Sequence, residues 1–192
     1  MAGSEMSVTR CFRIAARLVK SSVIAWVLSV TLGVGVVTAE ELVNALDDGV
    51  TMDGFDVVAY FKQAAPAKGN ASHQVQYKGK TWLFDSEENA AEFSARPTKF
   101  EPQFNGWCSY AVSEGYGAEV DFVKGWVILD DKLYLNWNEK TKDEFVAEQA
   151  SRKKRAAENW PAVHSGLQDG SVELYLHKDE PAEGISHPQQ ID

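Results

Sequence analysis

His73-Gln74-Val75-Gln76-Tyr77-Lys78-Gly79-Lys80-Thr81-Trp82-Leu83-Phe84-Asp85-Ser86-Glu87-Glu88 is the stretch that decides the fold class of this chain. Two runs rich in aromatic and β-branched residues flank Lys78-Gly79, a turn pair, and so predict a β-hairpin. With those two residues at the turn, cross-strand partners have numbers that sum to 157. His73, Val75, Tyr77, Trp82 and Phe84 then share one face, and Gln74, Gln76 and Thr81 the other. Ser86 is a suitable N-cap, and Glu87 and Glu88 suit the positive end of the helix dipole. A helix is therefore expected to about Ala95, with Ala90 and Phe93 facing inward.

Working outward, Val57-Val58-Ala59-Tyr60-Phe61 is too short for periodicity to decide between a strand and a short buried helix. Glu40 to Leu46 reads as a short opening helix and Pro66 to Ser72 as a loop. Pro97 starts a second short turn through Phe100 and Phe104, broken by Asn105-Gly106 before the apolar segment Trp107 to Val112. Trp126 to Trp137 reads as a second hairpin around Asp130-Asp131-Lys132. Asn138 can cap a helix that ends at Pro161, with Val146, Ala150, Ala157 and Trp160 on one stripe and Arg152 to Arg155 as a solvated basic face. Val172 to Leu176 can add one edge strand. The expected class is α+β: a small antiparallel sheet of two β-hairpins packed against two or three helices in a single domain. The organisation reads as a signal peptide over 1–39, a domain over 40–163 and a polar tail over 164–192.

The first 39 residues stand apart. Arg10, Arg13, Arg17 and Lys20 precede an apolar run from Val23 to Val37, and Val37-Thr38-Ala39 ends it with small residues at a plausible cut before Glu40. The run is shorter than the roughly 20 apolar residues of a membrane span. Export by the general secretory route to the periplasm or outside is the expectation, with an uncleaved membrane anchor as the alternative. Cleavage leaves 15 basic against 27 acidic residues, a net charge of −12. Such a surface repels nucleic acid and anionic lipid and favours cations and basic partners. Cys11 leaves with the signal, so Cys108 is the single thiol of the mature chain and has no intramolecular disulfide partner.

Several of these stretches, taken in order, resemble the exported YHS-domain proteins. Gly54-Phe55-Asp56-Val57-Val58-Ala59-Tyr60-Phe61 is similar to the family's opening, and Tyr77 to Ser86 to its hairpin leading into a helix. Arg96-Pro97 through Cys108-Ser109-Tyr110-Ala111-Val112, Lys132 to Asn136 and Asn159-Trp160-Pro161 resemble its later motifs. The resemblance spans about residues 50–161. Several members of the wider group bind metal through cysteines. This chain departs from that pattern, with Asp85 and Ala59 where such relatives carry Cys, so a four-cysteine zinc site is excluded. Some exported members carry selenocysteine in the region matching Cys108, which implies redox or soft-metal chemistry there.

Cys108 is accordingly the first candidate, as a reactive thiol, as a soft-metal ligand, or as a small buried hydrophobe. His73, with Cys108 and Met52, can complete a copper(I)-type soft site, or it is simply a hairpin-edge histidine. Asp53, Asp56 and Asp85 are candidates for acid–base work or a hard cation, against turn and cap chemistry. Tyr60, Trp82, Trp107 and Tyr110, together with Trp126, Tyr134 and Trp137, can line an apolar ligand pocket or form the core. His164, His177 and His187 need no special role. The nucleophile-elbow, phosphate-loop, dinucleotide and His-Glu-x-x-His motifs are missing, which weighs against an enzyme of those classes. The leading expectation is an exported YHS-type module that holds a metal ion, copper or another soft metal, or a small ligand, as carrier or accessory subunit. The alternatives are a thiol-dependent redox protein using Cys108 and a non-catalytic scaffold for an exported partner protein.

Overall fold

The hairpin forms as its turn chemistry requires. β1 (Asn70–Tyr77) and β2 (Lys80–Phe84) pair antiparallel, with Gln74 opposite Leu83, Val75 opposite Trp82, Gln76 opposite Thr81 and Tyr77 opposite Lys80. Those four pairs carry the register expected from the sequence. Lys78 and Gly79 both have positive φ, 51° and 71°, the backbone of a two-residue type I′ turn. The register shifts between Asn70 and Gln74, so Asn70, not His73, lies opposite Phe84. The Asn70 side chain accepts from Ser72 N at 2.9 Å, which folds the intervening residues into a bulge and corrects the expected place of His73.

The computed structural model describes Asn44 and residues 49–177, all within one unit spanning Thr38–Asp192. The expected signal, most of the expected helix over 40–46 and the end of the tail, His187 included, lie outside the described residues. Asp56 turns the apolar run into α1 (Val57–Lys62) by accepting from Val58 N at 2.7 Å and Ala59 N at 3.2 Å. α2 (Glu87–Ala95) starts at Ser86, whose hydroxyl accepts from Asn89 N. Its Phe93 is fully buried, 4.9 Å from Trp82 and 5.0 Å from Phe84 between ring centres, and this packing fixes helix to hairpin. Burying one such side chain is worth roughly 1.5–3 kcal/mol. α3 (Pro97–Phe100) and a 3-10 turn (Gln103–Gly106) lead to α4 (Ser109–Glu114), closed by Gly115 at φ 94°.

The second hairpin joins β4 (Trp126–Leu129) to β5 (Lys132–Leu135) through Asp130 and Asp131, both at positive φ. α5 (Glu139–Ala147) opens with a capping box between Asn138 and Thr141. α6 (Gln149–Asp169) follows, and β6 (Leu174–Tyr175) pairs with β3 (Gly117–Ala118).

The class is α+β, as expected, yet the hairpins do not merge into one sheet. Among the described residues they form separate two-stranded sheets, and β3–β6 is a third, parallel pair. The free edge of β2 is taken by the start of the domain: Thr51 N donates to Thr81 O and Thr81 N to Gly49 O. Pro161 does not end the long helix; it lies inside α6, and the C=O it cannot bond belongs to Ala157 on the exposed side.

The expected stripe is also corrected. The helix breaks at Glu148 between α5 and α6, which resets the phase. The residues of α6 that turn inward are Arg152, Ala156, Val163 and Gly166, while Ala150 and Ala157 are exposed. Arg152 is therefore no part of a solvated face. Its guanidinium donates to Glu114 at 2.7 Å and Ser113 at 3.1 Å and lies 3.8 Å over the Tyr110 ring. Asn159 Nδ2 donates at 3.1 Å to the carbonyls of Val112 and Ser113, satisfying the end of α4.

Candidate functional site

The end of β5 organises a cleft. Asn136 is fully buried, and its side-chain amide and carbonyl are all hydrogen-bonded. Its Nδ2 donates to Gly125 O at 3.1 Å, its Oδ1 accepts from Tyr110 N at 3.2 Å, and its carbonyl accepts from Asp121 N at 3.0 Å. The loop over 120–125 is thus tied both to β5 and to α4. Gly125 permits the approach, since a Cβ there would meet Asn136 O at 2.1 Å. Gly125→Ala is expected to cost about 1–3 kcal/mol through overpacking against rigid backbone, read as a lowered midpoint in thermal unfolding. A wild-type midpoint would show that the loop is not held this way.

Trp137, the next residue, donates its backbone N–H to Cys108 Sγ at 3.2 Å. Its indole carries the His177 ring at 4.0 Å between centres. His177 is held there by its own N–H, which donates to Glu119 Oε2 at 2.7 Å, and by Nε2 at 3.2 Å from Trp137 O. On the other side, Phe55 stacks on Phe122 at 5.5 Å. Between these walls lies a cleft of about 490 Å³. Phe55, Val120, Phe122, Val123 and Trp137 supply its apolar lining, and Asp53, Asp121, Asn138 and His177 its polar groups. The volume is in the usual range for small-molecule sites, and so is the mixture of apolar walls with a few polar groups.

Two carboxylates set the electrostatics. Asp121 Oδ1 accepts from Val123 N at 2.8 Å and Lys124 N at 3.0 Å, which shapes the loop. Asp53 pairs with Lys68 Nζ at 2.8 Å, and Nζ also bonds the Asp53 carbonyl. The same ammonium lies 3.9 Å from the centre of the Phe55 ring. Behind the loop, Tyr60 Oη donates to Phe122 O at 2.7 Å. Burial first, then the charges of Asp121 and Asp56, push the Tyr60 hydroxyl well above its ordinary range, so it remains a donor.

Of the residues singled out from the sequence, Asp53 and Trp137 line the cleft, and the others lie elsewhere. Cys108 is buried, with 1% exposure, as the N-cap of α4; its Sγ also accepts from Ala111 N at 3.5 Å. Burial pushes the thiol up to about 11, outweighing the N–H donors that lower it. It is a neutral thiol around pH 7 and lacks the activation expected of a helix start. His73 sits in the β1 bulge, half-buried, and Met52 is fully buried. Among the described residues, no three His, Cys, Asp or Glu side chains gather as a metal-holding group. Cys108 turns its Sγ to the backbone N–H groups of Trp137 and Ala111.

The four candidate pocket aromatics are packing residues in different places. Tyr60 meets Trp126 edge-on at 5.2 Å, and Trp82 belongs to the Phe93 stack. Trp107 is in a second apolar cluster with Val112, Ala156 and Val163, and Tyr110 lies beneath Arg152. Asp56 is a buried cap, Asp53 an exposed ion-pair partner, and Asp85 an exposed residue within 3.4 Å of Gln63 Nε2. None of Tyr60, Trp82, Trp107 and Tyr110 lines the cleft. His177, to which the sequence assigned no role, does, and so do Phe55, Phe122 and Val123. Nothing local marks these residues, because tertiary contacts alone assemble them.

The hairpin, its helix and the approach through α1 define a small α+β unit of hairpin–helix type. The family model of the YHS domain matches residues 58–103, the stretch that runs from α1 to the start of the 3-10 turn. No curated protein and no solved structure matches the chain. The cleft residues all fall outside the matched segment: Asp53 and Phe55 precede it, and Val120 to Val123, Trp137, Asn138 and His177 follow it.

Proposed function

We propose that this protein is an exported binding module, built on a YHS domain, that holds a small ligand in the cleft between Phe55–Phe122 and Trp137–His177 and serves as a carrier or accessory subunit. The observation that carries this reading is the cleft itself: an open site lined by five apolar and four polar residues, on walls held by buried hydrogen bonds. Cys108 then acts through Trp137, as the acceptor that positions the cleft wall. The basic-then-apolar pattern over 1–39 supports export, and among the described residues no helix is long and apolar enough to cross a membrane.

The test is a fragment screen on the mature chain, read by amide and indole NMR shifts. Small aromatic fragments that bind are expected to move Val120 to Val123, Trp137 and His177. Val123 is 53% exposed, so Val123→Trp fills the cleft mouth with little effect on stability and is expected to weaken binding at least about tenfold. Hits that map elsewhere, or that bind Val123→Trp as well as wild type, would sink the reading. Export is checked by sequencing the N-terminus of the exported chain, expected at Glu40.

A further inference from the structure

We propose that the ligand of this cleft is a small organic cation, an ammonium or quaternary ammonium group on a flat apolar body. This deepens the binding reading and rests on it. The cleft offers two kinds of wall, and each rejects a different competitor. Asp53 and Asp121 place carboxylates among its lining groups, with Glu119 beside His177. An anionic ligand would face these charges across a partly desolvated site. Phe55, Phe122 and Trp137 are poor surroundings for a bare metal ion, which needs oxygen, nitrogen or sulfur ligands closing around it, and no such group of three is present among the described residues. A cation with an apolar body satisfies both: its charge meets carboxylate and aromatic faces, and its body displaces water from the apolar lining.

The molecule already shows this chemistry at the cleft's edge. The Lys68 ammonium lies on the Phe55 ring at 3.9 Å and bonds the Asp53 carboxylate at 2.8 Å. The side chain is 54% exposed, so the pair is a weak, exchangeable contact. It is an intramolecular stand-in for the ammonium of a ligand, and a competitor to it. The acidic balance of the whole chain, −9 for the full sequence, adds long-range attraction for cations.

The experiment compares three probes of one shape, benzyltrimethylammonium, benzyl alcohol and benzoate, titrated into the mature protein and followed by NMR at the Trp137 indole and the loop over 120–123. The ammonium probe is expected to bind about tenfold more tightly than benzyl alcohol, with benzoate weakest. Asp121→Asn keeps an oxygen for the Val123 and Lys124 N–H groups and is expected to weaken the ammonium probe by about threefold to tenfold while leaving benzyl alcohol unchanged. Lys68→Met removes the internal ammonium and is expected to tighten the ammonium probe by about twofold to fivefold, a gain that a purely apolar cleft would not produce. If benzyl alcohol or benzoate matches the ammonium at the cleft resonances, or if both charge variants leave selectivity unchanged, the cation assignment is wrong and the binding reading survives. If none of the three moves the cleft resonances, or Val123→Trp binds the ammonium probe like wild type, the binding reading and this inference fall together.

Discussion

Asp56→Ala is expected to lose roughly 3–5 kcal/mol of folding stability, the sum of a lost helix cap and several orphaned buried donors. The carboxylate is fully buried and serves three elements at once. It accepts from Val58 N and Ala59 N at the head of α1, from Asp85 N at 2.9 Å where β2 ends, and from Asn89 Nδ2 at 2.7 Å in α2. Removing it leaves four N–H groups facing a dry cavity, all four on residues of the segment that matches the YHS family model, which begins two residues after Asp56. Asp56→Asn keeps one oxygen for the α1 donors but turns an amide N–H₂ toward Asp85 N and Asn89, and is expected to cost about half as much. Urea unfolding measures both, with the slope checked for constancy so that the midpoint reports stability alone. A loss below about 1 kcal/mol for Asp56→Ala would show that water or a rearranged Asn89 replaces the carboxylate and that Asp56 does not hold the three elements together.

Native labelling of Cys108 is the second large effect. A fully buried thiol reacts only when the structure opens, so alkylation at pH 7–8 is expected to be at least about a thousandfold slower in the folded protein than in urea. Rapid labelling of the native state would overturn the positioning role and revive a redox function for this residue.

The raised thiol pKa also has a pH signature. The group is an acid whose folded pKa, about 11, lies above its ordinary value of 9.0. Its contribution to stability is therefore complete below about 9 and is lost as the pH climbs from 9 to 11. Two pKa units correspond to about 2–3 kcal/mol. Tyr60 and Tyr116 are pushed up too, chiefly by burial, and they add a further loss at higher pH. The difference between wild type and Cys108→Ala isolates the cysteine. The variant is expected to be about 1–3 kcal/mol less stable at pH 7, because the N–H groups of Trp137 and Ala111 lose their acceptor, and to close that gap as the pH approaches 11.

The cleft lies outside the segment that matches the YHS family model. Residues 58–103 supply most of α1, the hairpin and α2, held together by the preceding Asp56 and by the aromatic stack on Phe93. The candidate ligand groups come from before it, at Asp53 and Phe55, and from after it, on the 120–125 loop, at the end of β5 and at His177 just past β6. The cleft and the segment that matches the family model are thus built from different parts of the chain, the usual separation of scaffold from candidate site.

What the sequence by itself determined was local. Lys78-Gly79 set four cross-strand pairs, Ser86 and Asn138 started helices where caps were expected, and Asp130-Asp131 made the second hairpin. Each of these depends on residues within a few positions, where φ preference and side chain-to-backbone hydrogen bonds decide the outcome. The Tyr60 run could not be assigned, because one turn of helix and one short strand have the same apolar composition; Asp56 at its head, bonded to the distant Asp85 and Asn89, belongs to the helix. Only the tertiary structure decided the rest. Whether Arg152 faces water or Glu114, whether Cys108 is open or covered by Trp137, and whether His177 trails in a tail or stacks in a cleft are matters of contacts 29 to 58 residues apart in the chain. Burial and partners at such separations come from the packing of whole elements, and no window of sequence contains both sides of the contact.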